Sequence, residues 1–287
     1  MTTKLLSQFS RDMQQRGLSE LTQEAYLRNV NKFVDFYGKE LRKATSKDVN
    51  KYLYHLMSNR KLKQVSCNQH AAALKMFFSI TLDKQWARDK IVFAKTPKKL
   101  PDVLSGSEVI KVLKHFDSIK HKTIALVCYG AGLRINEALH LKIKDIDSKR
   151  DVINVRQGKG QKDRQVPLSP RLLNSLRVYY KNERPQGEYL FPGNGKYRVL
   201  TKEAFSKALN KALNKVDIDK VVTAHVFRHS YATHLIEAGV DLRSVQVLMG
   251  HSSIQSTARY VHLTTARMQT ISSPLELLGK PEGQILG

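Results

Sequence analysis

The stretch "AKTPKKLPDVLS", Ala94 to Ser105, constrains the fold of this chain more than any other. Two prolines and three lysines without apolar periodicity suit neither a helix interior nor a central strand, because proline lacks the N–H that both require. The stretch predicts a linker over residues 95–104, with one domain before it (1–94) and a second after it. At 287 residues and 41% apolar content, the chain can give each domain its own core.

Ahead of the linker the pattern is helical throughout. Tyr26, Leu27, Val30, Phe33, Val34 and Tyr37 recur at helical spacing until Gly38 stops them. "TSKD" opens a second helix, with Thr45 and Asp48 as a capping box and Val49, Tyr52, Leu53 and Leu56 on one face. Ser66 and Gln69 predict a third start, ahead of an apolar run from Ala71 to Leu82. After the linker, Ser105 and Glu108 cap a helix whose stripe is Val109, Val112, Leu113 and Phe116. "TIALVCYGAGLRINEALHL" reads as an apolar helix, a break at Gly130 and Gly132, and a new helix with Arg134 in its first turn. "DVINVRQGKGQKDRQVPL" reads as a β-hairpin with Lys159 and Lys162 at its tip. The fold class expected is therefore mostly α with a small β-hairpin: a helical bundle followed by an α+β domain.

Charge narrows the function. Lys and Arg number 49 against 25 Asp and Glu, a formal net charge of +24, which points to a polyanionic partner. A non-catalytic nucleic-acid binder explains that excess as well as an enzyme does. Lys61 and Lys63 between helices, Lys162 at the hairpin tip, and Lys207 and Lys211 on a lysine-striped helix are the candidate DNA-backbone contacts, although such faces are usually just solvated. No apolar run reaches the roughly 18 residues of a membrane span, and "MTTKLLSQFSRDMQQRG" turns polar too early for a signal peptide. A cytoplasmic protein without a membrane partner is expected. Cys67 and Cys128 both sit in apolar helical patterns, which leaves no disulfide framework and no cysteine metal site.

The chemistry concentrates in "TAHVFRHSYATHL", Thr223 to Leu235. His225 and His229 have the i, i+4 spacing of a metalloprotease helix, but Val226 stands where such a site carries its glutamate, and Arg228 would put a fixed positive charge beside the metal. No metal is expected. If Thr223 caps a helix ended by Gly239, with Phe227, Tyr231, Leu235 and Ile236 inward, then His225 and Arg228 share one face near its N-terminus, where anions are favoured. In "LMGHSSIQSTARYVH", Gly250 ends a helix, His251 follows it, and Ser253 starts another helix bearing Tyr260. Arginine, histidine and tyrosine in this order suit phosphodiester chemistry without a metal.

These motifs together resemble the tyrosine recombinases, the lambda-integrase-type family of site-specific DNA strand exchangers, and closest to integron-type and transposon-borne integrases. "GAGLRINEAL" matches the arginine patch with Arg134 and Glu137, "GKGQKDRQVPL" the hairpin lysine patch, "HVFRH" the H-x-x-R, "LMGH" the glycine-histidine turn and "STARYVH" the nucleophile segment. The resemblance implies a catalytic domain over 105–270 and a tail over 271–287 that docks on a neighbouring subunit. It also implies closure of both domains on DNA as a clamp, and a homo-tetramer on two double-stranded sites. Tyr260 would attack the phosphate to leave a 3′-phosphotyrosine, Arg134 and Arg228 would clamp the non-bridging oxygens, and His225 would act as base. Lys159 would protonate the leaving 5′-oxygen and His251 would hydrogen-bond the phosphate. Religation through a Holliday junction would use neither ATP nor any cofactor. The alternatives are chromosome-dimer resolution rather than mobile-element transfer, a type IB topoisomerase, and an architectural DNA binder.

Overall fold

The computed structural model describes residues 2–96, 102–156, 163–193 and 199–251, in two compact units, Met1–Lys99 and Leu100–Gly287. Unit one is helical. Its elements are α1 (Thr2–Gln15), α2 (Glu20–Tyr37), α3 (Ser46–Ser58), α4 (Gln64–Met76) and α5 (Trp86–Asp89). On α1, Leu5, Phe9 and Met13 recur every fourth residue and all three are buried. Val30 and Phe33 of α2 and all four expected residues of α3 join the same core. Gly38 ends α2 in the left-handed conformation, and the Thr45–Asp48 capping box is formed.

The third helix departs from expectation. α4 starts at Gln64 with Lys63 as N-cap, so Ser66 lies inside its first turn and forms no capping box. Leu62 packs against the core and its N–H bonds the Leu56 carbonyl, and the chain re-enters helix three residues early. α4 then passes into a π-helical turn, Phe77–Thr81, and the neighbouring Phe77 and Phe78 are both fully buried. His70, buried on α4, hydrogen-bonds the Tyr52 hydroxyl at 3.2 Å, and burial drives its pKa down to about 4.

Unit two is organised around an apolar helix. α6 (Gly106–Lys114) carries the Ser105–Glu108 capping box, and its expected stripe is buried. α7 (Ile119–Gly130) buries Thr123, Ile124, Ala125, Val127 and Cys128, so it is enclosed on nearly every side. α8 (Ile135–Leu139) follows the glycine break. The three-stranded antiparallel sheet comprises β1 (Ile146–Asp147), β2 (Val152–Val155) and β3 (Arg164–Pro167), with Ile153 opposite both Ile146 and Val166. The hairpin lies at β2 and β3; β1 is an added edge that its two-residue length hid from the pattern. Ile153, Val155 and Val166 point into the core. α9 (Pro170–Glu183) starts from Ser169 with proline at its first position.

α10 (Lys202–Leu213) buries Phe205, Leu209 and Ala212, and α11 (Ala224–Glu237) and α12 (Leu242–Met249) complete the unit. Thr223 takes the N-cap position of α11, but its side chain makes no capping hydrogen bond, unlike the expectation. Leu104, in the stretch read as linker, is fully buried in this unit, and its N–H bonds the Ser230 hydroxyl at 2.9 Å. Among the described residues no helix is long and apolar enough to cross a membrane.

Candidate active site

The site begins at the glycine break after α7. Gly132 has φ of 64°, and a Cβ there would stand 2.4 Å from the Tyr231 ring, so the position admits no side chain without displacement. The turn delivers Arg134 as the N-cap of α8, one step before the first-turn position expected from sequence. Glu137, one turn on, accepts from the Arg134 backbone N–H and from Arg134 Nη1, both at 2.8 Å. Glu137, which the sequence marked only as part of the arginine patch, thus pairs with the arginine of that patch.

A second arginine closes on the same carboxylate from the sheet. Arg164, first residue of β3, donates Nη1 to Glu137 Oε1 at 2.9 Å and Nη2 to Oε2 at 2.8 Å. A third, Arg228 of α11, stands 3.7 Å from Oε2. Burial pushes the Glu137 carboxyl upward, and the hydrogen bonds and charges of Arg164, then Arg134, reverse this and hold it at about 2. Three guanidinium groups around one carboxylate leave surplus positive charge in a partly dry site, where it attracts an anion strongly.

The C-terminal end of α12 holds the three arginines in place. Its last carbonyls accept in sequence: Leu248 from Arg164 Nε at 2.9 Å, Met249 from Arg228 Nη2, and Gly250 from Arg134 Nη2 at 3.0 Å. Carbonyls at a helix C-terminus lack intrahelical partners and carry the negative end of the helix dipole, so cations satisfy both needs. Arg228 also donates Nη1 to Gly132 at 2.5 Å, and the residue is only 3% exposed. Gly250 turns in the left-handed conformation at φ of 58°, packed on the Arg164 side chain, and sets His251 immediately after the cluster. The His251 backbone is fixed by Gln246, which accepts from its N–H and donates to its carbonyl, each at 3.1 Å.

His225 lies at the exposed start of α11. Partial desolvation of its ring, followed by the charges of Arg228, Arg134 and Lys202, lowers its pKa, so the neutral ring dominates near neutrality. His229 lies 6.4 Å from it, ring to ring, and His234 shares a hydrogen bond with the Tyr129 hydroxyl at 2.9 Å.

Of the residues singled out from sequence, Arg134, Arg228, His225 and His251 come together in this unit. Lys159, Lys162 and Tyr260 lie outside the described residues, as does the tail over 271–287. Lys61 and Lys63 are exposed in the connection between α3 and α4, and Lys207 is exposed on α10. Lys211 is paired with Asp117 at 2.9 Å. Arg164 was missed, because its partners are 27 and 84 positions away in sequence and no local pattern announces them. Among the described residues no group of three or more His, Cys, Asp or Glu could hold a metal ion.

Comparison with known proteins places this geometry. Residues 102–267 match the phage integrase family, and residues 5–88 match the phage integrase N-terminal SAM-like domain. The y4qK protein of Sinorhizobium fredii, whose name describes it as an integrase/recombinase, is 44% identical over 280 residues, 97% of this chain and 91% of its own. Tyrosine recombinase XerA of Pyrococcus horikoshii is 33% identical over 281 residues, 97% of this chain and 95% of its own. The crystal structure of XerH site-specific recombinase bound to difH substrate superposes with a TM-score of 0.70 at 25% identity, covering 92% of this chain and 81% of that one. The chain therefore belongs to the phage integrase family, and it is a tyrosine-type site-specific recombinase.

Proposed function

We propose that this recombinase cuts double-stranded DNA at a specific site with Tyr260 as nucleophile, leaving a 3′-phosphotyrosine and a free 5′-hydroxyl, and rejoins strands through a Holliday junction. The observation that carries the reading is the arginine cluster. Arg134 and Arg228 are fixed on consecutive carbonyls at the end of α12, beside His251, with more positive charge than Glu137 neutralises. Preorganised guanidinium groups stabilise charge as it builds on a phosphorane, and this is typically the largest single contribution to such a rate. His225, held neutral, takes the tyrosine proton, and Lys159 gives one to the leaving 5′-oxygen. His251 bonds the phosphate. The phosphotyrosine conserves the energy of the broken bond, so neither ATP nor metal enters the cycle.

Around this centre, residues 1–94 and 105–270 act as DNA-binding and catalytic domains joined by the linker over 95–104, and the two close on the duplex. Lys61, Lys63, Lys162, Lys207 and Lys211 contact backbone phosphate, with Lys211 exchanging Asp117 for DNA. Four subunits assemble on two sites, linked by the 271–287 tails, and the reaction integrates and excises a mobile element. Covalent capture tests the reading: wild-type protein incubated with cellular DNA in excess EDTA should retain DNA through denaturation, and the captured ends should share one sequence motif. Motifs at element ends support mobile-element transfer; a single chromosomal motif supports dimer resolution instead. Adduct formation that strictly requires a divalent ion would contradict the metal-free assignment.

A further inference from the structure

We propose that Arg164 is a positioning residue for strand cleavage: it takes up the charge of Glu137 so that Arg134 and Arg228 keep theirs for the phosphate. The inference rests on the proposed DNA-cleaving role of the cluster. Its basis is the contrast between the guanidinium groups of Arg164 and Arg134. All three nitrogens of Arg164 are turned inward, Nη1 and Nη2 onto the two Glu137 oxygens and Nε onto the Leu248 carbonyl, and its side chain is 9% exposed. Such a group has no fork left to offer DNA. Arg134 is more open, at 20%, and its guanidinium touches Glu137 through Nη1 alone while Nη2 reaches Gly250.

The two arginines compete for one oxygen. Arg134 Nη1 and Arg164 Nη1 both donate to Glu137 Oε1, at 2.8 and 2.9 Å. With Arg164 in place, the second Glu137 oxygen is taken by Arg164 Nη2 and the Arg134 backbone N–H, so Arg134 cannot form the two-pronged pair that a lone arginine and carboxylate prefer. Without Arg164, Arg134 rotates onto both oxygens, leaves the Gly250 carbonyl, and presents a neutralised head to the phosphate. Arg164 also packs on the bare Cα of Gly250: a Cβ there would lie 3.1 Å from Arg164 Cδ. The residue therefore joins β3, α8 and the last turn of α12 at one point, and fixes the approach of His251 as well.

A buried ion pair can also be mere architecture, replaceable without loss of function, and the test separates the two. The probe is a duplex bearing the motif captured covalently by the wild-type full-length protein. Arg164→Met and Arg164→Lys should bind it within about threefold of wild type, with an unchanged salt dependence, because no phosphate contact is lost. Adduct formation from the bound complex should slow by about 30-fold or more in Arg164→Met, and less in Arg164→Lys, which restores the charge but not the fork. Glu137→Gln combined with Arg164→Met should be no slower than the slower single variant, because Arg164 acts through Glu137.

Three results would overturn the inference: weaker binding with a salt slope lower by about one and an unchanged adduct rate; rate losses that multiply in the double variant; or a folded Arg164→Met that cleaves at the wild-type rate. If Arg164→Met does not fold, Arg164→Lys carries the comparison, with a wild-type rate overturning the proposal. Absence of any adduct from wild-type protein is a different failure, which removes the DNA-cleaving role itself and this inference with it.

Discussion

Arg228 and Arg134 donate to consecutive backbone carbonyls, Met249 and Gly250, so the end of α12 sets the spacing between the two guanidinium groups. They are not equivalent, however: Arg228 is 3% exposed and also serves the Gly132 carbonyl, while the Arg134 side chain is 20% exposed. Replacing either by alanine should slow adduct formation by about 10²–10³-fold. Only Arg228→Ala should also destabilise the fold markedly, by about 2–4 kcal/mol, because it strands two carbonyls and part of a buried carboxylate. Chemical denaturation alongside single-turnover cleavage checks both; near-native cleavage by either variant contradicts the clamp.

Gly132→Ala should destabilise the second unit by about 2–4 kcal/mol, since the added methyl meets the Tyr231 ring at 2.4 Å in a left-handed backbone. The same change should lower cleavage, because Gly132 also supplies a carbonyl to Arg228. Urea unfolding measures the first effect, and a loss below about 0.5 kcal/mol would show that the turn relaxes freely.

Much of the fold was legible where the signal is local. The capping boxes at Thr45–Asp48 and Ser105–Glu108, the stop at Gly38 and the stripe of α6 all follow from residues within two helical turns. α4 misled because Ser66 and Gln69 mimic a cap, while the helix already starts at Gln64, just after Leu62 has packed against the core. In the site, Arg134, Arg228, His225 and His251 were legible from their motifs. The braces were not: Arg164 meets Glu137 and Leu248 only once β3, α8 and α12 have packed, and periodicity carries no trace of that meeting. Arg228 as a buried donor to two carbonyls was equally hidden, since the sequence shows only that it shares a helix face with His225.

If His225 is the base, as proposed, it should set the acid limb of cleavage. Its pKa is lowered from the ordinary 6.5 by desolvation and neighbouring cations, so the ring stays neutral, and able to accept a proton, to pH values below that figure. The second-order rate of adduct formation should fall on the acid side as the ring protonates, with the midpoint of that fall below the ordinary histidine value. His225→Gln should be slower throughout and lack that limb. A limb centred above 6.5 would assign it to a different group.

The proposed general acid is Lys159, and Lys162, three residues along the same sequence motif, is its rival for the role. A duplex with sulfur in place of the bridging 5′-oxygen needs no proton at the leaving group, so Lys159→Ala should be badly impaired on ordinary DNA and largely restored on the sulfur-bridged one. Lys162→Ala should show a modest binding defect on both. Rescue of Lys162→Ala in place of Lys159→Ala would move the acid three residues along the chain.

The central claim is that Tyr260 joins covalently to DNA, and peptide mapping of the adduct tests it most directly. Wild-type protein trapped on its captured motif, digested by protease and nuclease, should yield one peptide carrying a nucleotide 3′-phosphate on Tyr260, and Tyr260→Phe should yield none while binding the same duplex nearly as well. A phosphotyrosine at any other position, or an adduct from Tyr260→Phe, would contradict the account.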